Sequence, residues 1–384
     1  MIDAAGSSNA AADAGIVSAG VEDSAARSVG NLLVRPAQSG DLAAIERLAG
    51  GATPRLTNLP AHRDRLEERI ARSARSLAHN VDFPGDELYT FVLEDRDLGE
   101  IVGTASIRAQ AGAQDAYYTY RQETLIHASQ QLNLRHEVQT LSLSHEMSEV
   151  SLLCALSLDS RYRGTSAATL LRRARLMFIA QYPERFAETL GVAFPGYLDE
   201  AGGSPFWDSV GRHFFEQGYH EINLLAGVRS KSFIAEVMPQ FPLYLPLLTP
   251  QARAAIGREH PAHEQALQEM LAEGFVRSRH VDIFDAGPVV RGERQRLRTL
   301  THCGWHPVRI RPATSLPDAE PAMVANQQLA DFRCTVARYA LTPTGQLLLS
   351  EEQAALLGVE EGRAVLVAPL ALPNVEDALD EGEL

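Results

Sequence analysis

The stretch EVSLLCALSLDSRYRGTSAATLLRRARLMF, residues 149–178, constrains this chain more than any other. Val150, Leu152, Cys154, Leu156 and Leu158 alternate, which predicts a strand over 150–158 with those five side chains on one face. Leu170, Leu171, Ala174, Met177 and Phe178 then recur at helical spacing, with Arg172, Arg173 and Arg175 mostly off that stripe. Between strand and helix lies Arg161-Tyr-Arg163-Gly164-Thr165-Ser166, whose small residues let backbone N–H groups at the helix start approach a phosphate while the arginines add charge. Such a loop suits a pyrophosphate, yet it is neither a P-loop nor the Rossmann glycine fingerprint. An ordinary capped helix with solvated arginines explains the loop equally well at this point.

The remaining segments organise around that unit. NLLVRP (31–36) reads as a strand and SGDLAAIERLAG as a helix, followed by an Arg-rich helical stretch near 61–79. LYTFVLE (88–94) and EIVGTASIRA (100–109) form a hairpin pattern, and 117–127 and 137–145 are further strands. Next come a strand and turn at 191–200, a helix at 204–215 with proline near its first turn, and an extended proline-rich segment at 238–250. A helix closed by Gly274 and a strand within 275–288 complete a large unit, 31–300. Residues 301–373 then read as a small β-rich subdomain, flanked by a disordered Ala/Gly/Ser lead-in at 1–30 and an acidic tail at 374–384.

Charge excludes some partners. The lead-in accounts for −3 and the tail for −5 of the formal charge of −14, leaving −6 between them. That balance argues against nucleic acid or an anionic membrane surface as partner. Three scattered cysteines, Cys154, Cys303 and Cys334, fit neither a disulfide framework nor a CxxC site, so a reducing cytoplasm is expected. The first thirty residues have the pattern of neither a secretory signal nor a transit peptide, and no apolar run reaches spanning length.

IGREHPAHEQALQEMLAEGF (256–275) places His260 and His263 three apart, a spacing compatible with one metal ion. No third and fourth ligand stands out, and HEMSE (145–149) has Glu149 where a metalloprotease needs histidine, so no metal is expected. From the residues alone, His260 also reads as a helix-start side chain satisfying local amides. Cys154 on an apolar strand face reads as packing, and no GxSxG marks an acyl-enzyme serine.

The whole order, from the RP-x-x-x-x-D-L opening through IVGTASI and the strand into RxxGxS to the late helix ending EGF, resembles the GCN5-related N-acyltransferase superfamily. That resemblance implies an α+β fold: a mixed, mainly antiparallel sheet flanked by helices. Within it, LTNLPA (56–61), YRQETLIHAS (120–129), SPFWDSVGRHFF (204–215), FIAEVMPQFPLYLPLL (233–248), IGREHP (256–261) and DIFDAGP (282–288) resemble the arginine N-succinyltransferase family. The resemblance implies transfer of a succinyl group from succinyl-CoA to the α-amine of arginine, or of ornithine, at the start of arginine catabolism. Succinyl-CoA is then a substrate, and no cofactor is bound permanently. The resemblance assigns His260 as proton donor, Leu156 as an acyl-CoA contact and Arg161, Arg163, Gly164, Thr165 and Ser166 as the pyrophosphate loop.

Both substrates carry carboxylates, so basic groups are expected to bind them, and Arg121, His127 and Arg212 within the shared blocks are the candidates. Where the family usually has an acidic-x-Thr-Gly step and DGGP, this chain has Glu146-Met147-Ser148-Glu149 and Ala286. Partners implied are a second copy or a related subunit. A stand-alone enzyme and a divergent regulatory subunit that pairs with an active chain are both compatible with these blocks, whereas a bare nucleotide-binding module leaves most of them unexplained.

Overall fold

The computed structural model describes residues 31–228 and 232–371. The expected lead-in and acidic tail lie outside the described residues. The strands are β1 (Leu32–Pro36), β2 (Leu88–Asp95), β3 (Glu100–Arg108), β4 (Thr119–Ser129), β5 (Leu134–Ser144), β6 (Ser151–Leu158), β7 (Thr189–Ala193), β8 (Leu243–Tyr244), β9 (Val276–Val281), β10 (Pro288–Glu293), β11 (Gly304–Arg311), β12 (Pro321–Ala325), β13 (Cys334–Arg338), β14 (Leu347–Ser350) and β15 (Ala364–Pro369). The helices are α1 (Leu42–Gly50), α2 (Arg63–Ala78), α3 (Ser166–Gln181), α4 (Pro205–Ser209), α5 (Tyr219–Val228), α6 (Ser232–Val237), α7 (Pro250–Ala255), α8 (Glu264–Glu273), α9 (Arg298–Thr301) and α10 (Glu351–Leu357).

The strands join edge to edge in one mixed, mainly antiparallel sheet with the order β14-β11-β15-β12-β13-β1-β2-β3-β6-β7-β10-β9-β4-β5-β8. Two neighbouring pairs are parallel, β6 with β7 and β11 with β14. The β-rich C-terminal strands continue the sheet through β13, where Cys334 pairs with Val34 of β1. This is the α+β architecture expected.

Helices cover both faces. On one, Ile45 and Ala49 of α1 and Leu66 and Ile70 of α2 pack over Val92 and Ala155. On the other, α3 lays Leu170, Leu171, Ala174 and Phe178 against Phe91, Val102 and Ile107, with Leu267 and Met270 of α8 in the same core. A separate cluster of Phe206, Trp207, Tyr120, Ile222 and Val281 joins α4 and α5 to the β4 and β9 strands.

The polar side of α3 departs from expectation. Arg172, Arg173 and Arg175 are all buried: α8, α9 and the chain beyond β15 close over Arg172 and Arg173, and Arg175 turns to β3. Each guanidinium is met. Arg172 Nε donates to Glu269 at 2.9 Å, Arg173 Nε lies 3.2 Å from Glu273, and Arg175 Nη1 donates to the Ser106 carbonyl at 3.3 Å. Burial pushes the Arg175 guanidinium down to about 10. Glu273 also accepts from the Thr299 amide and hydroxyl, so one carboxylate ties α3, α8 and α9 together.

Removing one member of a buried pair strands the other charge in a poorly solvated site. Glu273→Leu is expected to cost about 3–5 kcal/mol, read as a lower urea midpoint at unchanged slope, with Arg173→Met/Glu273→Leu recovering part of the loss. A double variant no more stable than Glu273→Leu would show that Arg173 does not need its partner.

Candidate active site

The site begins with a defect in β6. Its alternation breaks at Ala155, whose φ of 53° is left-handed, and the β3–β6 register shifts between Thr104 and Ser106. This bulge inserts an extra residue and reverses the facing of the residues after it. The single apolar face expected for 150–158 is therefore divided. Leu152 packs with Met147 and Val289, whereas Leu153, Leu156 and Leu158 contribute to the α3 core on the other face.

The same strand parts from its parallel neighbour. β6 pairs with β7 only at Ser151–Leu190 and Leu152–Gly191, and beyond Leu152 it is laddered to β3 alone. Unpaired backbone N–H and C=O groups on that edge are left for an extended, amide-bearing ligand to satisfy. At the far end of the opening, Gly164 takes φ 71° and Thr165 caps α3, its hydroxyl accepting from the Ala167 amide at 3.3 Å. Only glycine turns there without a Cβ penalty, so the helix start is brought against the β6 terminus.

Two cavities lie along the open edge. The smaller, about 80 Å³, is lined by Leu156, Ser157 and Leu158, by Arg163 and Gly164, and by Ala262, His263 and Gln265 from the opposite side. The larger, about 380 Å³, borders Leu152, Leu153 and Cys154 at the other end. Its walls carry both signs: Arg55, Arg65, Arg69, Arg72 and Arg108, with Glu68 among them paired to Arg65, and Asp115, Asp282 and Asp285. Leu56 lines both.

His260 lines neither cavity but is tied to both, standing two residues before Ala262 of the smaller. Its amide donates to the carbonyl of Pro195, a wall residue of the larger cavity, at 2.8 Å, and Gly196 bridges to Glu259. Pro261 opens a short turn that runs into α8, and His260 is its N-cap, with Nδ1 accepting from the Ala262 amide at 3.2 Å. Nδ1 is thereby committed as an acceptor, so the neutral ring carries its hydrogen on Nε2. Burial lowers the His260 pKa.

Comparison with known proteins places the chain in a family. The family described as arginine N-succinyltransferase beta subunit matches residues 32–299, and its C-terminal domain matches 306–369. The chain belongs to the arginine N-succinyltransferase family. It is 39% identical over 334 residues to arginine N-succinyltransferase subunit alpha of Pseudomonas aeruginosa, covering 87% of this chain and 98% of that one. It is 38% identical to the beta subunit of the same organism over 88% of this chain and 98% of the relative. The solved structure of arginine/ornithine succinyltransferase subunit AI from P. aeruginosa superposes with a TM-score of 0.83 at 36% identity, covering 89% of this chain and 99% of that one.

Within this family member the structure gathers some of the residues expected from the sequence and not others. Leu156, Arg163 and Gly164 share the smaller cavity, and Thr165 and Ser166 form the adjoining helix start. Arg161 points to Asp159 and Glu100, at 3.0 and 3.3 Å, so its charge is already compensated. Arg121 on β4 is paired with Glu123 and Glu146; His127, on the same strand, lies opposite His136; and exposed Arg212 sits 3.4 Å from Asp208. None of these last three lines either cavity.

The polar walls of the larger cavity are not among the residues expected from the sequence. A signal exists for them: Arg65, Glu68, Arg69 and Arg72 recur at 3- and 4-residue steps, opposite the Leu66, Ile70 and Leu77 stripe of α2. Asp285 has no such signal. It is buried, accepts from Tyr219 Oη at 3.0 Å and from the Gly287 amide at 2.8 Å, and burial beside Asp282 raises its pKa. The altered 146–149 segment forms a compact turn with Met147 buried, and Ser148 Oγ accepts from the amide of Tyr117 in the cavity wall at 2.9 Å.

His263 is held at about 4, below the usual 6.5, first by burial and then by the charges of His260, Arg163 and Arg172. Its unfolded form therefore takes up a proton before the folded form does. The stability it contributes is present above about pH 6.5 and is lost as pH falls toward 4. His263→Gln should show a smaller drop in thermal midpoint than wild type between pH 7 and pH 5. Parallel pH curves for the two proteins would exclude His263 as the source.

Proposed function

We propose that this chain transfers the succinyl group of succinyl-CoA to the α-amine of L-arginine, with L-ornithine as a second acceptor, at the start of arginine breakdown. The single observation that carries the reading is the pairing of an open β6 edge, leading from the α3 start, with a cavity that has both cationic and anionic walls. The open edge suits the amide-bearing arm of CoA, with Leu156 along it. The α3 start with Arg163, Gly164, Thr165 and Ser166 suits the pyrophosphate, while Arg161 adds positive potential beside it. Asp282 and Asp285 suit the guanidinium of arginine or the side-chain ammonium of ornithine. Succinyl-CoA serves as substrate, with no permanently bound cofactor.

In the reaction the amine lone pair forms a C–N bond at the thioester carbonyl, the C–S bond breaks, the nitrogen sheds one proton to water as it becomes an amide, and the leaving thiolate needs a proton. His260 supplies it. The neutral ring, whose Nδ1 accepts from the Ala262 amide, must first take up a proton there and give up that bond; the imidazolium then donates from Nε2, the nitrogen that Ala262 does not engage. A thiol of ordinary pKa about 8.5 takes a proton downhill from an imidazolium near 6.5, and the lowered His260 pKa steepens that drop.

The chain works in the cytoplasm as a homo-oligomer or beside a related subunit. P. aeruginosa relatives carry alpha and beta subunit names, and no helix among the described residues is long and apolar enough to cross a membrane. An intact cavity and an intact His260 turn favour a competent enzyme over a purely regulatory subunit.

Free thiol is expected to appear when the purified chain meets succinyl-CoA and arginine or ornithine. No release with either amine overturns the assignment. His260→Asn retains a side-chain acceptor for the Ala262 amide and removes the proton donor. It should keep the thermal midpoint and lose about 10²-fold or more in kcat, and an unchanged kcat would remove His260 from the chemistry.

A further inference from the structure

The larger cavity has an uncompensated cationic corner. Arg69 Nη1 donates to Ser106 Oγ at 3.0 Å and Nη2 to the Asn58 carbonyl, and the Cys154 thiol lies beside it. Arg108 Nη1 reaches the Ala111 carbonyl at 3.4 Å. Among the described residues neither guanidinium has a carboxylate partner, although both line a cavity that holds Glu68, Asp282 and Asp285. Arg72 differs, being 3.7 Å from Asp86 and bonded to Gln114. Burial lowers the Arg69 pKa, and the charges of Arg108 and Arg72 lower it further, so an anion placed there relieves a real repulsion.

The corner is also placed by register. Arg108 pairs with Leu152, the last β6 residue laddered to β7, and Ser106, which holds Arg69, pairs with Cys154. Both guanidiniums therefore flank the three β6 residues where the strands begin to part. An acyl carbonyl held in that opening has its distal end within their reach, whereas the two aspartates belong to the loop between β9 and β10, where Asp285 packs against Gly196 beyond β7. We infer that Arg69 and Arg108 together bind the terminal carboxylate of the acyl chain carried by CoA and so select a dicarboxylic acyl donor over an uncharged one. This rests on the transfer reaction proposed above.

The experiment compares kcat/KM for succinyl-CoA and acetyl-CoA at saturating arginine in wild type, Arg69→Gln and Arg108→Gln. Loss of a charged hydrogen-bond partner is expected to lower the succinyl-CoA value about 10- to 100-fold. The acetyl-CoA value should change by less than about threefold on the same scale, so the preference collapses. Arg69→Lys, which keeps the charge and loses the fork, should fall between the two. Equal losses with both donors, accompanied by a raised KM for arginine, would place the carboxylate of the acceptor on these residues and overturn the inference.

Calorimetric titration with succinyl-CoA and with free CoA needs no acceptor and separates this idea from the identity of the amine. Wild type should bind the succinylated form more tightly by a margin that Arg108→Gln abolishes, with free CoA affinity unchanged. If the margin persists in both glutamine variants, the corner does not read the acyl carboxylate, even in a chain that fails to turn over arginine.

Discussion

The divergence of β6 from β7 is the constraint on which the rest of the site depends. A parallel ladder that stops after two pairs leaves the middle of the sheet with unsatisfied backbone groups, which a folded chain tolerates only where water or a ligand reaches them. The bulge at Ala155 is what allows β6 to keep its pairing with β3 while bending away. A straight β6 would zip onto β7, and both cavities would vanish. Holding that opening apart requires rigid supports on each side. The buried α3 arginines, each tied to α8, α9 or β3, fix the helix whose N-terminus closes the far end.

Much of this was legible in the residues. The strand, Arg/Gly loop and helix of 150–181 appear with the boundaries that periodicity implies, and the hairpins before them fall where the β-rich runs stood. What periodicity cannot show is a change of phase. Alternation at Val150, Leu152, Cys154, Leu156 and Leu158 looks unbroken, yet one residue in a left-handed conformation divides that face in two, and alanine carries no advance mark of it. Arg172, Arg173 and Arg175 misled for a related reason: a helix enclosed on two sides has no solvent face, with β3 meeting Arg175 and the later helices α8 and α9 meeting the other two.

The substrate cavity exposes a second limit. Arg121, His127 and Arg212 lie in blocks that resemble the family, but a block marks where chains agree and does not say which way its side chains point. Arg121 spends its charge on Glu123 and Glu146. Arg69, Arg72 and Arg108 come from α2 and β3, elements that in sequence read as a solvated helix and an ordinary hairpin strand. They meet Asp282 and Asp285 only because β3 and the β9–β10 loop lie on opposite sides of the opening. The glycines allow that approach. A Cβ on Gly196 would sit 2.4 Å from the Asp285 carbonyl oxygen, and one on Gly287 would sit 2.2 Å from that of Phe194. Ala286 in the same turn has φ 56°, a left-handed conformation that strains an alanine more than it would a glycine.

The two readings of His260, the helix cap that the structure shows and the proton donor proposed above, belong to two protonation states of one ring. Nδ1 accepts from the backbone at the start of the turn into α8, as a capping residue does, and this fixes the ring in place. The bond also opposes protonation at Nδ1, which adds to the effect of burial and makes the cationic ring a stronger acid. A loosely held histidine would be protonated more often but would have to find the sulfur from many orientations. Here the neutral ring is held in place, and taking up a proton at Nδ1 releases that hold before the ring acts as an acid. His263 cannot substitute for it. It lines the smaller cavity, where Arg163 and Arg172 keep it neutral beside the place proposed for phosphate. The three-residue spacing therefore sets the two rings apart along one turn, with their centroids 6.3 Å from each other: His263 in the wall of the smaller cavity and His260, the donor proposed above, outside it.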